Sequence, residues 1–227
     1  MTKSTRVSAK NSKKSSSPNS ALSVVLSGMP SVGKTTAASA IAKRFHYKHV
    51  AGGDMLKEMA IERGYSPSGS DWWDTDEGMK FLAERRTNPD FDKEVDRKLI
   101  EYLKCGNTVI TSYTVPWLCA DGLKIWFSAT QRNRAKRLAG RDGFSLAKAL
   151  RIIRSRDSRN RALYSRIYGI KFGKDLSVFN YVIETDDLSA QEVATAACEL
   201  VKLHRSELNE RRIPSNHLRV KPAPVRE

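Results

Sequence analysis

The sequence predicts an α/β domain: a parallel sheet of about five strands flanked by helices. Two observations carry that expectation. Short apolar, β-branched runs alternate along the chain with longer stretches of helical spacing; parallel strands need crossovers, and helices supply them. The first apolar run ends at a glycine-containing turn that opens straight into a helical pattern. At 227 residues, 40% hydrophobic and 29% charged, the chain suits one domain of about 150–200 residues plus tails. No internal repeat is visible.

In chain order, residues 21–27 (ALSVVLS) read as a buried strand stopped by Gly28. Residues 33–45 have helical spacing, with Ala38, Ile41, Ala42 and Phe45 on one face. A short strand is expected at 47–50, and helices at 54–63 and 92–104. Buried strands follow at 108–111 and 123–127, arginine-rich helices at 131–138 and 146–167, a last strand at 181–183 and a last helix at 191–203. Residues 1–20, rich in Ser and Lys, have almost nothing to bury and are expected to be a disordered basic tail. Residues 206–227, with Pro214, Pro222 and Pro224, are expected to be a loose C-terminal tail, which leaves 21–205 for the folded domain.

The turn after the first strand carries the chemistry. Gly28-Met29-Pro30-Ser31-Val32-Gly33-Lys34-Thr35 matches G-x-x-x-x-G-K-[ST] without a gap, and Thr36 follows. Glycines let the backbone curl until its N–H groups point inward at phosphate oxygens, and the following helix N-terminus adds partial positive charge. In this pattern Lys34 reaches the β/γ-phosphates and the Thr35 hydroxyl ligates Mg²⁺. A nucleoside triphosphate with Mg²⁺ is therefore the expected ligand. Such loops serve kinases, GTPases, motors and silent binders alike, so the loop does not name a reaction. No N-K-x-D motif for reading a guanine base is present.

The formal net charge of +15 is unevenly spread. Residues 1–20 contribute +5, residues 132–174 contribute +12 and residues 205–227 contribute +3, so the rest of the chain is mildly acidic. No apolar run approaches the roughly 18 residues of a membrane span, and residues 1–20 lack the apolar core of about 7–15 residues that marks a secretory signal. Cys105, Cys119 and Cys198 are far apart, which argues against a disulfide framework or structural zinc and for a reducing, cytoplasmic setting. The four histidines have no ligand spacing, and no sustained heptad appears, so a monomer is expected. The basic tail keeps nucleic acid open as a partner.

The ten arginines between 132 and 174 admit three readings: a lid that closes over a transferring phosphoryl group, a solvated basic face, and an RNA-binding surface. Arg137 and Arg141 share one helical face, as do Arg154 and Arg161. Composition does not separate the three. Order in the chain favours the lid, since an arginine-rich helical pair between the penultimate and last strands is where small kinases place theirs.

In that order of motifs the chain resembles nucleoside monophosphate kinases of the phosphate-loop class, most of all the archaeal-type cytidylate kinases. The resemblance spans residues 22 to about 203 and rests on GMPSVGKTT, AGGDMLKEMAIERG, FDKEVDRKL, DGLKIWFSAT, the arginine-rich helices, RALYSRIYGI and DLSVFNYVIETD. It implies a phosphate-loop kinase fold, with an acceptor-binding segment at about 51–104 and a lid at about 132–174. It implies that Asp54 and Lys57 hold the acceptor nucleotide, with Lys57 standing where relatives carry Arg. Asp96 matches an acid in the acceptor-binding helix, with a structural role as the equal alternative, and Arg137 and Arg141 match lid arginines. Arg154 or Arg156 matches an arginine that reaches the transferred phosphate. Relatives often have an acid and an arginine after the third strand. Here the segment reads TSYTVPW, with Tyr113 or Ser112 left to make a neutral contact. An acid near Asn160 and an arginine near Leu163 are also replaced. Trp72 and Trp73 lie in the acceptor segment, where one can stack on a pyrimidine and Asp71 or Asp74 can read its amino group; the other reading is that the pair splits between core and surface.

The expected activity is ATP- and Mg²⁺-dependent phosphorylation of CMP, or dCMP, to the diphosphate. Two alternatives stand beside it: a nucleotide-dependent RNA- or ribosome-associated factor on a kinase scaffold, and a kinase for another monophosphate, AMP or UMP.

Overall fold

The computed structural model describes residues 21–69 and 72–210. The tail expected at 1–20, Asp71 and residues 211–227 lie outside the described residues.

Strands β1 (Val24–Gly28), β2 (Lys48–Ala51), β3 (Thr108–Thr111), β4 (Leu123–Ser128) and β5 (Tyr181–Glu184) form one sheet in the order β2-β3-β1-β4-β5. Every pairing is parallel. The central strand β1 is buried along its whole length, and a strand covered on both faces reads as a continuous apolar run rather than an alternating one. The chain leaves β1 for β2 at one edge, returns to β3, and then crosses to β4 and β5 on the other side. The carboxyl ends of β3, β1 and β4 thus flank the crevice where open α/β sheets bind ligands.

The helices are α1 (Lys34–Phe45), α2 (Gly52–Glu62), α3 (Asp76–Thr87), α4 (Asp90–Cys105), α5 (Val115–Leu118), α6 (Gln131–Asp142), α7 (Leu146–Tyr168) and α8 (Ala190–Glu210). On one face of the sheet, Ala37, Ala38 and Ile41 of α1 share the main core with Val193, Ala197 and Val201 of α8. On the other, Val95, Leu99 and Leu103 of α4 pack on Val25 and Ile110. Helices α6 and α7 close on each other through Ala135, Leu138, Ala149 and Ile153. Helix α7 starts at Ser145, whose hydroxyl accepts from the Lys148 N–H at 3.2 Å, and stops at Gly169 in the left-handed region.

Two expectations are corrected here. Helix α3 is absent from the sequence reading. It is capped by Thr75, which accepts from the Gly78 N–H at 3.2 Å, and it is anchored by Phe81 in a cluster with Ala60, Trp72 and Phe91. The loose tail expected from residue 206 begins no earlier than the end of α8 at Glu210, because the helical backbone continues through 206–210.

Candidate active site

The phosphate loop runs from the buried end of β1 into α1. Gly28 adopts φ 148°, and a Cβ there would sit 2.5 Å from the Phe127 carbonyl oxygen, so the close approach of the loop to β4 admits only glycine. Ser31 (φ 62°) and Gly33 (φ 97°) complete the curl. The first turn of α1 has no acidic residue and no side-chain cap, which leaves its N–H groups and dipole for an anion. The Lys34 Nζ donates to the carbonyls of Gly28 at 2.8 Å and Met29 at 2.9 Å. Burial, and secondarily the Arg134 charge, lower its pKa to about 7, with Asp157 partly opposing. Thr35 and Thr36 are exposed on the same turn.

Arg134 and Asp157 lie behind the loop, and the sequence reading gave neither of them a role. Arg134 pairs with Asp157 through two bonds of 2.6 and 2.9 Å, and also donates to the carbonyls of Pro30 (3.2 Å) and Ala129 (3.3 Å). Gln131 donates to the same carboxylate at 2.9 Å. One buried guanidinium thus ties the phosphate loop to α6 and α7. Both signals were in the sequence: Arg134 shares a helical face with Leu138, and Asp157 is the lone acid of the α7 pattern, in step with Ile153 and Tyr164. A cavity of about 270 Å³ opens beside this pair, bordered by Met29, Ser128, Gln131 and Arg161.

Tyr113 follows β3 and lies beside Lys34, with Nζ 4.9 Å from the ring centroid. Its ring also meets Tyr164 of α7 at 5.9 Å. Burial raises its phenol pKa, against the nearby charges of Arg156 and Arg85. Ser112 accepts from the N–H groups of Thr114 and Val115 at 3.1 and 3.2 Å and so fixes the turn. Lys57 donates to the Gly69 carbonyl at 2.8 Å and lies 5.9 Å from the Trp73 ring. Asp54 is exposed at the start of α2. Trp72 is buried and donates to Glu77 at 2.8 Å, whereas Trp73 is half-exposed and borders the acceptor side, so the pair splits between core and surface.

The expected arginines separate. Arg156 faces the acceptor segment and pairs with Asp74, whereas Arg154 is exposed. The same pair engages Asp74, one of the two acids given above as able to read a base. Arg137 donates to the hydroxyl of Thr185 at 2.9 Å and to its carbonyl. Arg141 pairs with Asp142 at 2.6 Å. Lys34, Tyr113 and Arg156 are brought together; Arg137 and Arg141 face other partners, and Arg154 is exposed.

Asp96 has structural partners. It projects from the apolar face of α4 and is buried. It accepts from Thr114 Oγ1 at 2.5 Å and Tyr168 OH at 2.7 Å, so its oxygens serve to join α4, the turn after β3 and the end of α7. Burial pushes its pKa up to about 6, against those two hydrogen bonds. A carboxyl with a raised native pKa opposes folding when ionised, so its cost is absent near pH 4 and full above pH 6. Asp96→Asn is expected to stabilise the protein at pH 7.5 by about 1–3 kcal/mol. The melting-temperature difference from wild type should grow from pH 4 to 7; a constant difference would contradict the assignment.

The loop fits a nucleotide phosphate: its cradle excludes a Cβ at Gly28, and Lys34 already points inward. Among the described residues no group of three His, Cys, Asp or Glu side chains is placed to hold a metal. The donor set therefore fits a divalent cation held by Thr35 together with phosphate oxygens, the arrangement usual for Mg²⁺.

A phosphate loop after the central strand of a parallel 2-3-1-4-5 sheet, facing a helical pair, defines a phosphate-loop kinase fold. Solved structures agree: shikimate kinases from Bacteroides thetaiotaomicron and Acinetobacter baumannii each match with TM-score 0.51, at 16% and 15% identity. They cover 81% and 84% of this chain and 98% and 96% of their own. The chain belongs to the cytidylate kinase-like family, whose model matches residues 23–187. Cytidylate kinase of Pyrococcus horikoshii is 36% identical over 177 residues, 78% of this chain and 86% of its own. Cytidylate kinase of Pyrobaculum aerophilum is 37% identical over 172 residues, 74% of this chain and 86% of its own. Cytidylate kinase of Methanocaldococcus jannaschii is 31% identical over 175 residues, 75% of this chain and 92% of its own.

Proposed function

We propose that this chain transfers the terminal phosphoryl group of ATP to CMP, and to dCMP where the 2′-hydroxyl is not required. The observation that carries the reading is the phosphate loop with Lys34 drawn beneath it, facing Tyr113 and the acceptor segment, in a chain of the cytidylate kinase-like family. The loop N–H groups and Lys34 hold the β- and γ-phosphates. Thr35 offers its hydroxyl to Mg²⁺, which when bound neutralises charge on the phosphates. Lys57 and Asp54 hold the acceptor. Arg156 exchanges Asp74 for the transferring group, and Arg137, Arg141 and Arg154 supply further positive charge as α6 and α7 close. No covalent nucleophile is required, because positioning and electrostatics carry this chemistry.

A coupled assay with Mg²⁺-ATP against CMP, dCMP, UMP, AMP and GMP tests the reading. CMP is expected to turn over fastest. A preference for AMP or UMP would keep the fold's chemistry and replace the acceptor.

A further inference from the structure

We propose that Arg85 binds the phosphate of the acceptor nucleotide, through the Nη1 donors of its guanidinium, at the cleft between α3 and α7; the assignment rests on the kinase reading above.

An acceptor phosphate carries about two negative charges and needs cations not already committed. The segment after β3 offers only Ser112, Tyr113 and Thr114. Lys57 is held by Gly69, and Arg156 by Asp74. Arg85 differs. Its Nε and Nη2 donate to Asp92 of α4, the first at 2.9 Å, and Nη2 also donates to Tyr164 OH at 3.1 Å. Those bonds use three of the five guanidinium hydrogens. Among the described residues Nη1 has no partner, although the side chain is only 9% exposed. On this buried, rigidly held guanidinium the two N–H groups of Nη1 are left to donate to an oxyanion.

The position agrees. Tyr164, which Arg85 contacts, packs on Tyr113, and Tyr113 lies against Lys34. Arg85 is therefore two side chains from the phosphate-loop lysine. It borders a cleft of about 60 Å³ with Trp73, Asp74, Arg156 and Asn160. That is room for about four waters, the scale of a phosphoryl group. Arg86 and Arg159 also border it, and with Arg85 paired to Asp92 and Arg156 to Asp74 the arginines still outnumber the carboxylates there by two, a balance that favours an anion. Asp92 holds the fork from behind, across the cleft wall, and Tyr164 ties it to the lid helix.

Arg85→Met alone would leave Asp92 buried without a partner and risks the fold. The test is therefore Arg85→Met with Asp92→Asn, beside Asp92→Asn alone and Arg85→Lys, which keeps a charge for Asp92 but has no counterpart of Nη1. Readouts are the melting temperature, KM for ATP and for CMP, and calorimetric binding of CMP against cytidine. The double variant is expected to fold and keep its KM for ATP, while KM for CMP rises about 10–100-fold. The preference for CMP over cytidine should shrink by the same factor, and Arg85→Lys should move the same way. If the double variant folds and both CMP readouts match wild type, Arg85 is structural and the proposal is overturned. If wild type binds CMP but does not phosphorylate it, the kinase reading fails, and the CMP-against-cytidine comparison still decides Arg85.

Discussion

Lys34→Ala is expected to lower CMP turnover by at least about a hundredfold, the scale seen when one preorganised donor is removed from a developing negative charge. The loop holds the ammonium between two carbonyls, 2.8 and 2.9 Å away, where phosphate oxygens would compete for it. The fold should not suffer. Its pKa is lowered from 10.5 to about 7 by burial. A cation with a lowered native pKa opposes folding while protonated, and the opposition fades as pH rises from about 7 to 10. Alanine removes that cost, so the melting temperature at pH 7 should be unchanged or higher. Turnover in the coupled assay and a thermal melt check both halves; wild-type turnover, or collapse of the fold, would contradict them.

Asp157→Ala is expected to be the more damaging change to stability. Its partner Arg134 is 2% exposed, and Asp157 itself 1%. Removing one member of such a pair costs about 3–5 kcal/mol, because the other charge stays buried and unpaired. In a domain this size that lowers the melting temperature by about 10 °C. Arg134 also fixes the Pro30 carbonyl, so the loop should loosen and KM for ATP should rise. Arg134→Met with Asp157→Leu should recover most of the stability, since neither charge remains buried. Its ATP affinity should stay low, because the contact to Pro30 is still gone. Recovery of both would show that the pair acts on the fold alone.

The parts of this account legible in the sequence are those that depend on local spacing. The strand, loop and helix at 24–45 lie within one continuous segment, and the inner strands β1, β3 and β4 announce themselves as apolar runs because both faces are covered. Helix α3 was illegible for the opposite reason. Its stretch DEGMKFLAERRT offers Phe81 as its one large buried apolar residue, and its other buried side chain is an arginine. The acceptor side was read only in part, because it is built from contacts between distant segments. Arg85 meets Tyr164 across 79 residues and Arg156 meets Asp74 across 82, and no spacing rule encodes either pair. Asp92 and Asp96 did leave a trace: two carboxylates on the face of α4 that carries Val95 and Leu99 must find partners. What the sequence withheld was which partners, and so it left Asp96 open between a ligand role and a structural one; its oxygens join three elements.

The central claim is transfer of a phosphoryl group from ATP to CMP. Phosphorus NMR of wild-type protein with ATP, Mg²⁺ and CMP tests it most directly, because it resolves every product. The account predicts ADP and CDP in equal amounts, no more inorganic phosphate than in a mixture without protein, and loss of both products with Lys34→Ala. ADP accumulating with inorganic phosphate and no CDP would contradict it.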